Sequence, residues 1–331
     1  MKRVAIAIGP RELALFFRSP SAGPERLTAL LPGARFFAPS AVNADWPEWL
    51  EAEKPNILVT AWSTPLIPEG LGDLQYVCHV CGSVKKTVPR ALIERGVVVT
   101  NWGDNVSEGL AEAALLLALS GLRRSHYFCD QMRNKRSWPT YPVGTKTLFE
   151  CRVGIHGFGA SARKLVSLLK PFRVQVSAYS KNVPDDLFKS LGVQRCGSLE
   201  DLFATSDVLF EMEALTPETQ GLVTERLLRL LPQEATFVNV ARGALVDEKA
   251  AIRIASEGRI RLALDVYVEE PLRADSPLRD MSEAILFPHV ASPTDDRLYR
   301  CGDFALENLA HFIRGEPVSA RVNLDVFDRS T

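Results

Sequence analysis

Arg152-Val153-Gly154-Ile155-His156-Gly157-Phe158-Gly159-Ala160-Ser161-Ala162 decides how this chain folds. A short apolar run enters the pattern G-x-G-x-x-A, and a helix-like stretch continues through Lys170. A strand before and a helix after give the glycine pattern its meaning as a dinucleotide-binding turn. Gly157 permits the tight turn, Gly159 lets backbone approach a pyrophosphate, and the small Ala162 keeps helix and strand close. Free N–H groups at the helix start then meet the phosphates. Gly157, Phe158, Gly159, Ala160 and Ser161 are the expected cofactor-binding residues of this turn.

Working outward, the next apolar run, Val174 to Tyr179, ends at the position that reads the adenosine ribose. Sites that prefer NAD place Asp or Glu there, whereas this chain has Ser180-Lys181-Asn182. A small hydroxyl beside a cation suits an added 2′-phosphate, so Ser180 and Lys181 favour NADP over NAD. The alternative is that Lys181 is a solvated surface residue and Asp185 or Asp186 folds back to the ribose.

Further along, three polar groups each follow an apolar run: Arg242 after Thr236–Val240, Glu270 after Leu262–Val266, and His289 after Ala284–Phe287. Ligand chemistry collects at the carboxyl ends of strands in parallel sheets. A cation for an anion, an imidazole for a proton and a carboxylate to hold the imidazole suit carbonyl reduction. His79, His126, His156 and His311 show no such partner, and His156 reads as a core or cleft-wall residue.

Upstream, the apolar runs Val4–Ile8, Ile57–Thr60, Tyr76–His79 and Val97–Thr100 read as strands. Helical stretches separate them, such as Pro89–Arg95. Val106–Arg124 is a long Ala- and Leu-rich helix, and Asp295–Arg314 a second long one. This alternation argues for α/β layers around parallel sheets. A Rossmann-type doubly wound domain, 103–294, inserted into a flavodoxin-like substrate domain, 1–102 with 295–331, is the most economical partition.

The composition excludes several classes. With 331 residues the chain can bury two cores, and a net charge of -1 makes no electrostatic case for nucleic acid or an anionic membrane. No apolar run reaches the roughly 18 residues of a membrane span. The start Met1-Lys2-Arg3 is basic and then apolar, but Pro10, Arg11 and Glu12 end the run early, so a first strand is expected rather than a signal segment. Six scattered cysteines, with Cys78-His79-Val80-Cys81 continuing an apolar strand, point to a reduced, cytoplasmic protein without a metal site.

Taken together, these stretches resemble the D-isomer-specific 2-hydroxyacid dehydrogenases. The resemblance rests on the glycine turn, Leu215-Thr216-Pro217-Glu218-Thr219, Asn239 through Glu248, Leu264-Asp265-Val266 with Glu269-Glu270-Pro271, and Pro288-His289-Val290-Ala291. It covers about Pro55 to Asn323. It implies a homodimer in which Arg242 binds the substrate's carboxylate and carbonyl oxygen, His289 is the acid–base group, and Glu270 bonds its far ring nitrogen. It implies that Asp265 and Ser107 lie near the nicotinamide, and that Thr216, Thr219, Val240 and Ala241 line the cofactor. By the same resemblance, the backbone amides of Gly82, Ser83 and Val84 take the substrate carboxylate.

The expected reaction is NAD(P)-dependent interconversion of a small 2-oxo acid and a D-2-hydroxy acid, with glyoxylate or hydroxypyruvate leading. A nucleotide-gated binding protein of the corepressor type is the alternative. The chain departs from the family pattern where a His and a Pro usually line the cleft. Met212 and Ala214 stand there, flanked by Glu211 and Glu213.

Overall fold

A computed structural model describes residues 2–17, 23–39, 45–181 and 183–329; Met1, Asn182 and Thr331 lie outside the described residues. The chain divides into two compact units, one made of Met1–Val106 with Pro293–Thr331 and the other of Ser107–Ser292.

The first unit holds a five-stranded parallel sheet of β1 (Val4–Ala7), β2 (Arg35–Phe37), β3 (Ile57–Thr60), β4 (Tyr76–His79) and β5 (Val98–Thr100). Their order, β2-β1-β3-β4-β5, is that of flavodoxin-like sheets. Every residue of β3 and β4 is buried, as expected of strands covered on both faces. The helix Leu298–Arg314 is the last large piece of this unit and ends on Gly315 in the left-handed conformation. Its Leu298, Cys301, Ala305, Leu306 and Leu309 join Ile6, Phe16, Val59 and Tyr76 in one apolar cluster.

A core that needs this helix cannot close without it. Deleting residues 298–331 is expected to unfold the first unit and leave the second folded. Limited proteolysis checks this: protection of 107–292 with rapid cleavage in 1–106 is the expected pattern, and full protection of both would refute it.

The second unit holds seven parallel strands: β6 (Arg152–His156), β7 (Gln175–Tyr179), β8 (Gln194–Arg195), β9 (Val208–Glu211), β10 (Ala235–Asn239), β11 (Ile260–Leu264) and β12 (Ile285–Leu286). The order β12-β11-β10-β9-β6-β7-β8 is the doubly wound arrangement, reversing between β6 and β9. The reversal opens the sheet beside the glycine turn. The helix Ser107–Leu122 packs Ala111, Ala114, Leu117 and Ala118 into the core with Val153, Ile155 and Val238. Among the described residues, no helix is long and apolar enough to cross a membrane, and no His, Cys, Asp or Glu group is arranged to hold a metal.

One side-chain reading from the sequence changes here. His156 has a carboxylate partner after all: its Nδ1 lies 2.7 Å from Glu211 Oε2, with both side chains fully inside at 1 % and 0 % exposed. The partner was invisible because β6 and β9 are distant in sequence, while their register sets His156 opposite Glu211. Burial disfavours a charged His156, yet the Glu211 charge and hydrogen bond outweigh it and raise the imidazole above its ordinary value.

Candidate active site

The ends of β10, β11 and β12 supply the polar trio. Past β10 the chain turns sharply, held by the Asn239 side chain. Its Oδ1 accepts from Ala241 N at 3.0 Å, and its Nδ2 donates to Arg242 O at 3.1 Å. Arg242 is half-buried, and its Nη1 donates to Ala241 O at 2.6 Å. Burial lowers its guanidinium from the ordinary value, while the charges of Glu270 and Asp265 work against that shift. An arginine so lowered still carries its charge. The cation therefore faces two carboxylates.

Gly243 explains how these strand ends come so close. A Cβ there would lie 1.9 Å from the carbonyl carbon of Tyr267, so any side chain would force β10 and β11 apart. On the β11 side, Glu270 is held at both oxygens. Oε1 accepts from Tyr267 N at 3.0 Å, and Oε2 lies 2.7 Å from His289 Nδ1. A carboxylate only accepts, so Nδ1 carries the proton in this pair and Nε2 is the ring atom left for an incoming oxygen.

His289 adopts φ 54, an uncommon conformation for a residue with a side chain. Three backbone N–H groups bonded to Asp265 hold it there. His289 N donates to Asp265 O at 2.8 Å, and Val290 N and Ala291 N donate to the carboxylate at 2.8 and 3.1 Å. Desolvation raises the Asp265 carboxyl, and those backbone donors only partly offset it. Beside the pair lies a cavity of about 580 Å³, walled by Tyr267, Leu272, Arg279 and Phe287 among others.

The nucleotide turn sits in the same unit. Gly157 has φ 86, and a Cβ on it would lie 2.5 Å from Glu213 Cα, so glycine is required twice over. Gly159 caps the helix Ala160–Leu169, and a Cβ on it would meet nothing within 4 Å. That open space against bare backbone is the cradle a pyrophosphate needs, so the residues fit a dinucleotide. Phe158 points the other way, stacked on Phe188 at 4.4 Å in the core. Ala160 and Ser161 begin the helix, and Ala162 is buried beneath it.

The remaining expected positions fall in two groups. Thr219 Oγ1 donates to Ala214 O at 2.6 Å and accepts from Thr216 N at 2.7 Å, so both threonines tie the turn after β9. Val240, Ala241 and Ser107 are buried in the same unit. Lys181 is exposed, and Asp185 pairs with Arg195. Gly82, Ser83 and Val84 belong to the first unit, following β4. There a Cβ on Gly82 would lie 2.6 Å from the Trp102 ring, and Val84 is buried. Trp102 is thus packed onto this turn, edge-on to Trp62 at 5.9 Å.

Glu213 is the residue that sequence reasoning undervalued. It flanks Met212 and Ala214 in the sequence, and only the fold brings it to the ribose end of β7. Its Oε2 lies 3.4 Å from Ser180 Oγ.

Comparison with known proteins agrees with this geometry. Residues 115–291 match the family model described as D-isomer specific 2-hydroxyacid dehydrogenase, NAD binding domain. A glyoxylate reductase of Aeropyrum pernix is 34% identical over 239 residues, 70% of this chain and 71% of that protein. A D-3-phosphoglycerate dehydrogenase of Methanocaldococcus jannaschii is 29% identical, and the match spans 71% of this chain but 44% of that longer protein. In three dimensions, a glyoxylate reductase from Paecilomyes thermophila aligns with a TM-score of 0.81 at 23% identity, over 97% of this chain and 99% of that one. The chain therefore belongs to the D-isomer specific 2-hydroxyacid dehydrogenases, oxidoreductases that act with a nicotinamide dinucleotide.

Proposed function

We infer that the protein interconverts a small 2-oxo acid and its D-2-hydroxy acid, with glyoxylate or hydroxypyruvate as the leading substrate. The observation that carries this reading is the Glu270–His289 pair at 2.7 Å, set at the strand ends beside Arg242. A bound nicotinamide supplies the hydride in reduction and accepts it in the reverse direction. His289 gives the proton from Nε2 to the carbonyl oxygen, so that reduction consumes one hydride and one proton. Glu270 fixes the ring and its tautomer. Arg242 orients the substrate through its planar fork and stabilises the negative charge that develops on oxygen.

The backbone amides of Gly82, Ser83 and Val84 are assigned to the substrate carboxylate. Thr216, Thr219, Val240, Ala241, Asp265 and Ser107 are assigned to the nucleotide cleft. Asp265 acts there chiefly through the loop it holds. Ser180 and Lys181 leave room for a 2′-phosphate, whereas Glu213 opposes one. A homodimer is the assembly that best fits the exposed aromatic residues Trp138 and Tyr141, 78% and 90% exposed, because rings of that size favour cover.

The test is oxidation of NADH and NADPH over a panel of 2-oxo acids, with fluorescence titration of both nucleotides and sedimentation of the same preparation. Turnover on glyoxylate or hydroxypyruvate, by a particle of twice 36.6 kDa, is expected. Tight nucleotide binding without turnover on any acid would instead favour a nucleotide-gated binding protein.

A further inference from the structure

We propose that Glu213 is the ribose-reading carboxylate of this site, accepting the adenosine ribose hydroxyls from the end of β9 and excluding a 2′-phosphate. The proposal rests on the dinucleotide reading above, and it replaces the NADP preference that Ser180-Lys181 suggests alone with a preference for NAD.

The acid that normally performs this task stands at the end of the second Rossmann strand. Here that position is Ser180, whose short side chain is mostly buried at 7% exposed. The carboxylate arrives instead from beyond the end of β9, across β6 from β7, with Glu213 Oε2 lying 3.4 Å from Ser180 Oγ. Its backbone is fixed from two directions. Glu213 N donates to Glu211 Oε1 at 3.0 Å, and its Cα packs directly against Gly157, where no Cβ fits. Its Oε1 also accepts from Ala214 N at 2.9 Å. The side chain is thus pinned between the glycine turn, where the pyrophosphate fits, and Ser180, where the ribose belongs. Glu211 holds it there from below, and His156 holds Glu211.

The cations nearby do not reverse this. Arg195 is drawn to Asp185, with a long 3.4 Å contact to Ser180 O. Lys181 is exposed and has the charge of Glu218 near it. Arg195 therefore already has a carboxylate, and Lys181 has one in its surroundings. A 2′-phosphate, with its roughly two negative charges, would enter against the Glu213 carboxylate at a few ångströms. Repulsion at that range and an intermediate dielectric corresponds to about 10–100-fold in affinity.

The experiment is direct binding of NADH and NADPH to the full chain by nicotinamide fluorescence, in the wild type and in Glu213→Gln. The wild type is expected to bind NADH about 10–100-fold more tightly than NADPH. Glu213→Gln, close in shape but uncharged, is expected to weaken NADH binding and relieve the repulsion of NADPH, so that the ratio shrinks at least several-fold, with a wild-type circular dichroism spectrum and unfolding midpoint as the check that the variant is folded. A wild type that prefers NADPH, or a ratio unmoved by Glu213→Gln, overturns the role of Glu213 and leaves the dehydrogenase reading intact. If the wild type binds neither nucleotide, both fail together. If Glu213→Gln does not fold, Glu213→Asp supplies the comparison: a carboxylate one methylene shorter should weaken NADH binding, and unchanged affinity for both nucleotides would count against the proposal.

Discussion

His289→Ala is expected to lower turnover on the true 2-oxo acid by about 10²–10⁴-fold, the usual contribution of a positioned general acid. Nucleotide affinity should stay near wild type, because the ring stands at the end of β12 and the glycine turn at the end of β6. The loss should fall on kcat, since the proton is needed only as the carbonyl is reduced. Arg242→Ala removes both an orienting fork and a stabilising charge, and about 10²–10³-fold in kcat with a raised KM is expected. His311 gives the control. It is 3.9 Å from Glu316 at the end of the helix Leu298–Arg314, an imidazole–carboxylate pair in an exposed setting. His311→Ala should leave steady-state rates unchanged. Comparable losses in all three variants would mean that the trio was misassigned.

The second large effect is on stability, through the buried pair of His156 and Glu211. Removing one partner of a buried ion pair strands the other charge in the core, at a cost of about 3–5 kcal/mol. Glu211→Ala is therefore expected to lower the midpoint of denaturant unfolding sharply. A double replacement, His156→Leu with Glu211→Leu, should recover much of that loss, because apolar pairs often substitute for buried charges without penalty.

The pair also makes stability depend on pH. Burial opposes the charge on His156, but the Glu211 charge and hydrogen bond prevail and raise its folded-state value. The folded ring thus keeps a proton that the unfolded ring releases near pH 6.5. Its contribution is whole below that point and is lost as pH rises through the folded value. Stability of the wild type should accordingly fall on the alkaline side of about pH 6.5, and the double variant should lose that slope. A single Glu211→Ala variant as stable as the wild type would rule out a charged pair.

The legible parts of this chain are those where burial writes itself into residue type. A strand such as β3, buried at every residue, appears as a nearly continuous apolar run, and the G-x-G-x-x-A turn sits between a strand and a helix as its chemistry demands. Arg242, Glu270 and His289 could be placed because each follows such a run. The edge strands β2 and β8 were missed: they are two or three residues long and mostly exposed, so no apolar pattern marks them. What sequence cannot show is register. His156 meets Glu211 only after β6 and β9, far apart in the chain, are laid side by side, and Glu213 meets Ser180 only after β6 is flanked by β9 and β7. Of the two acids that flank Met212, Glu211 is the buried partner of an imidazole, and Glu213 is the carboxylate proposed to read the ribose.

The split make-up of the first unit also sets a clock on synthesis. Its sheet is translated first, but the helix Leu298–Arg314 that completes its apolar cluster is translated only after residues 107–292. At roughly 5–20 residues per second, the interval is on the order of 10–40 s. For that time β1, β3 and β4 wait with an apolar face uncovered, while the inserted unit has all its residues and can fold. The helix that closes the first unit leaves the ribosome only after the whole inserted unit has done so.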